Sequence, residues 1–173
     1  MHNSSAIHEY LLEAGDLRVR FYWQGDRYAH EISVRLNGQW QPALTSVEGS
    51  PEDEWPASAP FQSLHIEQRE DGRTLAFLVG MAGKSHWSAS VEIDRETNSV
   101  LFDIACRVRD CTPGFLGSNY HPAECSRLKI EPTHRFGPTA FEQSPTNLRI
   151  SAEPASSAGP QTVRWDYRVC LGG

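Results

Sequence analysis

The stretch HWSASVEIDRETNSVLFDIACRV, residues 86–108, decides how this chain is read. Trp87, Ala89, Val91 and Ile93 alternate with His86, Ser88, Ser90, Glu92 and Asp94. After a turn from Arg95 to Asn98, a second run sets Val100, Phe102, Ile104, Cys106 and Val108 against Leu101, Asp103, Ala105, Arg107 and Arg109. Successive side chains leave a pleated backbone on opposite sides, so a period of two marks a strand with one face buried and one face wet. The segment is expected to be an antiparallel hairpin, apolar on one side and charged on the other.

The same rhythm recurs in both directions. Leu17, Val19, Phe21 and Trp23 alternate with Arg18, Arg20 and Tyr22. Ile32, Val34 and Leu36 lead into Asn37-Gly38, a dipeptide suited to a tight hairpin turn, with residues 40–44 returning. Leu64 and Ile66 are separated by Asp71-Gly72 from Leu75, Phe77 and Val79, a further hairpin signal. Weaker strands are expected at residues 128–130 and 148–150. A strong one closes the chain, where Val163, Trp165, Tyr167 and Val169 alternate with Arg164, Asp166 and Arg168. Residues 8–14 read as a short helical turn or an edge strand. Residues 49–60, with Pro51, Pro56, Pro60 and a run of acidic side chains, read as a surface loop. Residues 111–124 read as a long loop and 154–160 as a flexible turn. About ten short strands without intervening amphipathic helices predict an all-β fold, an antiparallel β-sandwich. A length of 173 residues fits one such domain over 1–173.

Composition excludes several function classes. The net charge is −6 and only Lys84 and Lys129 supply lysine among the 16 basic residues, which argues against a nucleic-acid partner. No apolar run reaches the ~18 residues of a membrane helix, and the opening residues carry no basic and apolar leader, so no membrane partner is expected and the chain reads as cytoplasmic. Cys106, Cys111, Cys125 and Cys170 form no CxxC pair and read as reduced structural thiols. His121, Cys125 and His134 offer no fixed ligand geometry, and neither a metal nor a cofactor is expected.

Three constellations could carry chemistry. FYWQGDRYAHEI, residues 21–32, mixes rings with ionisable groups and makes Arg27, Tyr28 and His30 candidates for binding a polyol, since rings stack on sugar faces while charged groups bind hydroxyls. The competing reading puts Phe21 and Trp23 on the buried face and Asp26 and Arg27 in a turn as a surface ion pair. VGMAGKSHWSAS, residues 79–90, delivers His86 and Trp87 at a strand entrance. Its Gly83-Lys84-Ser85 is not a phosphate loop, because Leu78 stands where the first glycine belongs and a strand follows. The third is the charged face of His65, His86, Asp103, Arg107, Arg109, Arg164, Asp166 and Arg168, able to grip a carboxylate or sugar hydroxyls if the strands adjoin, or simply solvated with weak cross-strand ion pairs.

The order of a strand, the turn Asp26-Arg27-Tyr28, a strand with Ile32 and a loop into a second sheet is similar to the opening of galactose mutarotase-like β-sandwich domains. The resemblance covers only the first part of the chain and implies a sandwich that presents a carbohydrate on a sheet face. In that family histidines and a carboxylate perform the chemistry, and no position here matches them by motif. The expected function is therefore carbohydrate binding through Arg27, Tyr28, His30, His86, Trp87, Arg107, Arg109 and Arg168. The alternatives are a carbohydrate-active enzyme of epimerase or mutarotase type, with His65 or His86 as acid or base and Arg107 orienting the substrate, and a protein-interaction module using a strand edge or the Trp55 loop. Oligomeric state stays open.

Overall fold

The computed structural model describes residues 9–109, 112–124, 127–154 and 159–172. Thirteen strands and no helix occur among them: β1 Glu9–Ala14, β2 Leu17–Trp23, β3 Tyr28–Leu36, β4 Gln39–Ser46, β5 Ser63–Gln68, β6 Thr74–Ala82, β7 Ser85–Asp94, β8 Ser99–Val108, β9 Gly117–Pro122, β10 Leu128–Pro132, β11 Thr139–Gln143, β12 Leu148–Ala152 and β13 Gln161–Leu171. Every pairing is antiparallel. One sheet of seven strands runs β1-β2-β3-β4-β9-β12-β11 and one of six runs β10-β13-β8-β7-β6-β5. The chain is an antiparallel β-sandwich, and no described helix is long and apolar enough to cross a membrane. Cys111, Cys125 and residues 155–158, on which thiol and turn expectations fell, lie outside the described residues.

The decisive hairpin forms as its alternation dictates. β7 and β8 pair from His86 opposite Arg107 to Asp94 opposite Ser99. Trp87, Ala89, Val91 and Ile93 on one strand and Val100, Phe102, Ile104, Cys106 and Val108 on the other are all buried. β13 then pairs along the whole of β8 and adds Val163, Trp165, Tyr167 and Val169 to the same inner face. The seven-stranded sheet answers with Leu12, Leu17, Val19, Phe21, Ile32, Val34, Leu44, Tyr120, Leu148 and Ile150. Asn37 and Gly38 make the turn between β3 and β4 with φ of 52° and 80°, the paired left-handed conformations of a two-residue hairpin loop. Ile32 opposes Leu44 while Ser33 opposes Pro42, so Ala43 is an extra residue on β4. That bulge turns both Ala43 and Leu44 inward.

Several expectations need correction. The strands number thirteen rather than about ten, because β1, β9 and β11 add to those expected: the described residues 112–124 are not a continuous loop, and β9 lies near the middle of the seven-stranded sheet, between β4 and β12. A Cβ on Gly117 would stand 2.1 Å from the Ile150 carbonyl oxygen, so the residues that suggested a loop are here what lets two strands close up. Of residues 8–14, expected as a short helical turn or an edge strand, the described residues 9–14 form the edge strand β1. Trp23, assigned to the core with Phe21, is 40% exposed, since it stands at the strand end and packs only edge-on against Tyr28 at 5.1 Å. The loop of residues 49–60 is exposed in its acidic first half only. Pro56, Ser58, Ala59 and Pro60 are buried. Asn119 holds this part through a backbone bond to Ser58 Oγ at 3.0 Å and a side-chain bond to the Ala57 carbonyl.

Gly117→Ala is expected to cost about 1–3 kcal/mol by overpacking the β9–β12 seam. The urea unfolding midpoint measures this, and an unchanged midpoint would contradict the close approach.

Candidate functional site

The residues singled out from the sequence do not meet in one place. Tyr28 and His30 lie on β3 of the seven-stranded sheet and Arg27 in the turn before it, and all three are buried. Trp87 points inward, with Trp55 edge-on to it at 6.0 Å. His65, His86, Arg107, Arg164, Asp166 and Arg168 share the outer face of the six-stranded sheet, with exposed Arg109 just past the end of β8. Strand pairing orders that face into rows. Thr162, Arg107, His86 and Met81 form one row, and Arg164, Ala105, Ser88 and Val79 the next. Asp166, Asp103, Ser90, Phe77 and His65 form the third, and Arg168, Leu101, Glu92 and Leu75 the fourth. Arg168 is thus three rows from Arg107, roughly 20 Å along the strands, and the two cannot hold one small ligand together.

The rows also reveal a trough. Ser88, Ser90 and Ala105 on β7 and β8 are small, while β6 on one side carries Phe77, Val79 and Met81, which are 40%, 54% and 50% exposed. Arg164 and Thr162 rise from β13 on the other side. Two hollows of about 600 Å³ and 420 Å³ follow this trough and share Ser88, Ala105 and Thr162. The larger reaches Met81, His86 and Arg107, and the smaller Phe77, Ser90, Asp103 and Arg164. The apolar side chains of β6 therefore face outward, and Ala76 and Leu78 form its buried face. A smaller hollow of about 290 Å³ between Leu44, Leu128, Ile130 and Leu148 has Glu124 as its one charged lining residue.

Charges are unevenly distributed along the trough. Asp103 and Asp166 face each other across β8 and β13, an arrangement of like charges that is unfavourable unless neutralised. Arg164 Nη2 donates to both Asp103 oxygens at 3.1 and 2.9 Å. Arg135 Nε and Thr133 Oγ1 donate to Asp166 Oδ2, and Arg135 Nη2 lies 3.7 Å from Asp103. The loop after β10 thereby folds back over β13. Asp166, expected on a solvated face, is fully buried beneath it. Phe136 of the same loop lies under the guanidinium of Arg164 at 3.6 Å and that of Arg135 at 5.2 Å. The sequence reading missed Phe77, Val79, Met81 and Phe136. The two-residue turn Gly83-Lys84 carries the signal for three of these, because it sets Phe77 opposite Ser90 on the same face.

Inside the sandwich lies a second polar group, closed to solvent. His30 Nε2 and Tyr120 Oη are 2.8 Å apart, Tyr120 and Tyr167 share a hydrogen bond of 2.5 Å, and Trp165 Nε1 donates to Ser118 Oγ at 3.2 Å. Ser46 Oγ accepts from the His30 backbone and donates to Glu48 Oε1 at 2.6 Å. Asp26 and Arg27 form the ion pair expected of the turn, with Asp26 at the surface and Arg27 beneath it. Arg27 is only 2% exposed and binds Asp26 through Nε and Nη2, and this hydrogen bond holds the Asp26 carboxyl below the usual carboxylate range. Arg27 Nη1 and Glu48 Oε2 are both buried without a hydrogen-bond partner. Burial lowers the His30 pKa to about 4, so the imidazole is neutral near pH 7. Burial also pushes the Tyr120 and Tyr167 hydroxyls upward. His30, Tyr120 and Tyr167 thus bond to one another within the core.

Glu48 gives this interior a measurable pH signature. Burial raises its pKa from 4.5 to about 7, opposed by the Ser46 hydrogen bond and the Arg27 charge. Between those values the folded state keeps a proton that the unfolded chain releases, so the Glu48 contribution to stability falls as pH rises through this window. His30 works in the opposite sense: the unfolded chain gains a proton below 6.5 that the folded state refuses down to about 4, so its contribution rises with pH across that range. Glu48→Gln removes the Glu48 slope and leaves that of His30 in place. The variant is expected to gain on the wild type between pH 4.5 and 7, by on the order of 2 kcal/mol, in urea unfolding measured at successive pH values. A difference independent of pH would contradict the buried carboxyl. No known protein family, characterised protein or solved structure matches this chain.

Proposed function

We propose that this chain binds a carbohydrate in the trough on the outer face of the six-stranded sheet. The observation that carries the reading is the exposed Phe77 ring standing beside Ser90, Asp103 and Arg164. A sugar ring has apolar C–H faces and a rim of hydroxyls, and a surface aromatic flanked by hydroxyl, carboxylate and guanidinium groups complements both. Ser88, Thr162 and His86 extend the polar set along the trough, while Val79 and Met81 continue its apolar wall. The mutarotase-like resemblance adds weight of its own, since it also implies a sugar on a sheet face. The role expected of Arg27, Tyr28, Trp87 and His30 moves to structure, because their side chains are buried.

Binding without turnover fits the carboxylates better than catalysis does. Asp103 is held by Arg164 and Asp166 by Arg135 and Thr133, so both carboxylates already serve as partners in ion pairs of the protein itself. Titration calorimetry against a panel of neutral and acidic oligosaccharides tests the reading. Phe77→Ala is expected to weaken binding about tenfold, the value of one aromatic contact, with an unchanged circular dichroism spectrum. Binding of none of the panel below millimolar would overturn it.

A further inference from the structure

The trough has two electrostatically different ends. At the Phe77 end, Arg164 and Arg135 are committed to Asp103 and Asp166. At the other end, Arg107 lies opposite His86, lines the larger hollow and is exposed, and no described carboxylate pairs with it. Exposed Arg109 follows at the end of β8, and exposed Lys84 stands in the turn that leads into β7. One carboxylate, Glu54, approaches this end, with its side chain against Gly83. In a chain of net charge −6, this gathering of cations around an open hollow runs against the average.

We infer that, on the carbohydrate reading above, the ligand is a short uronate-containing oligosaccharide whose carboxylate is held by Arg107 while another of its rings lies on Phe77. Arg107 and Phe77 are two rows apart, roughly 13 Å along the strands, a span that several linked sugar rings cover and a single ring does not. The guanidinium presents a planar fork of N–H donors that matches a carboxylate in bidentate fashion, and a charge-assisted pair is worth about twice a neutral hydrogen bond. Arg164 cannot replace Arg107 in this role, because both oxygens of Asp103 already occupy it. Ser88, between the two anchors, and Thr162, beside Arg107 on β13, offer hydroxyls to those of the sugar.

Trigalacturonate and its fully methyl-esterified counterpart share rings and linkages and differ in charge, so calorimetric titration of both isolates the carboxylate. The wild type is expected to bind the acid about tenfold more tightly than the ester. Arg107→Gln should weaken the acid far more than the ester and bring the two within about twofold, and Arg107→Lys, which keeps the charge but loses the fork, should fall between. Phe77→Ala should weaken both ligands alike. Equal binding of acid and ester by the wild type, or a preference that survives in Arg107→Gln, overturns the uronate assignment and leaves the carbohydrate reading standing. If neither trimer nor any neutral oligosaccharide binds, the carbohydrate reading itself falls.

Discussion

The register of the β6-β7-β8-β13 pairing is the constraint from which both surfaces of the six-stranded sheet follow. Turns at residues 83–84 and 95–98 fix which residues stand opposite one another, and a shift by one residue would exchange every inner side chain for an outer one. With the register as it is, Trp87, Phe102, Trp165 and Tyr167 fall on the core side. The small outer residues Ser88, Ser90 and Ala105 fall beside one another and leave a depression. The core and the trough are thus two sides of one alignment. The same alignment brings Asp103 opposite Asp166 and so requires the cationic loop that covers them.

The interior polar chain places a second demand on the fold. A hydroxyl or imidazole removed from water costs about 1–3 kcal/mol if left unpaired, so His30, Tyr120, Tyr167, Ser118 and Trp165 stay in a low-dielectric core only because each has a partner. These partners come from both sheets: His30 and Tyr120 from one, Tyr167 from the other. Hydrophobic burial alone would tolerate some sliding of one sheet over the other. A chain of directional bonds across the interface restricts it.

Much of the architecture was legible because alternation reports the local face directly wherever one side is clearly polar. β7, β8 and β13 are such strands, and their inner residues are those expected. β6 was not legible in this way, since residues 74–82 are apolar almost throughout and no period can say which side is wet. Only its pairing with the polar outer residues of β7 settles that. β9 was hidden by composition: Gly117, Ser118 and Asn119 resemble a loop, and nothing local shows that a neighbouring backbone requires their small size. Within the site, His86 and Arg107 were found because they interrupt an apolar rhythm. The burial of Arg27, Tyr28 and His30 was not legible, because a charged or polar residue near a strand looks the same whether it meets a ligand or a partner inside the core.

The segment from Ala57 to Gln62 is bonded to both layers: Asn119 donates to Ser58, the Tyr28 amide donates to the Phe61 carbonyl at 2.7 Å, and the Gln62 amide donates to the Val79 carbonyl at 2.9 Å. Tyr28 and Asn119 belong to the seven-stranded sheet and Val79 to the six-stranded one, so this piece of chain stitches the sandwich shut along one margin. The opposite margin, where Leu44 and Leu148 face Leu128 and Ile130, encloses a gap instead. Among the described residues, the stitch runs along the first margin and the gap along the other. Amide hydrogens beside the gap are therefore expected to exchange with solvent through smaller openings than those beside the stitch.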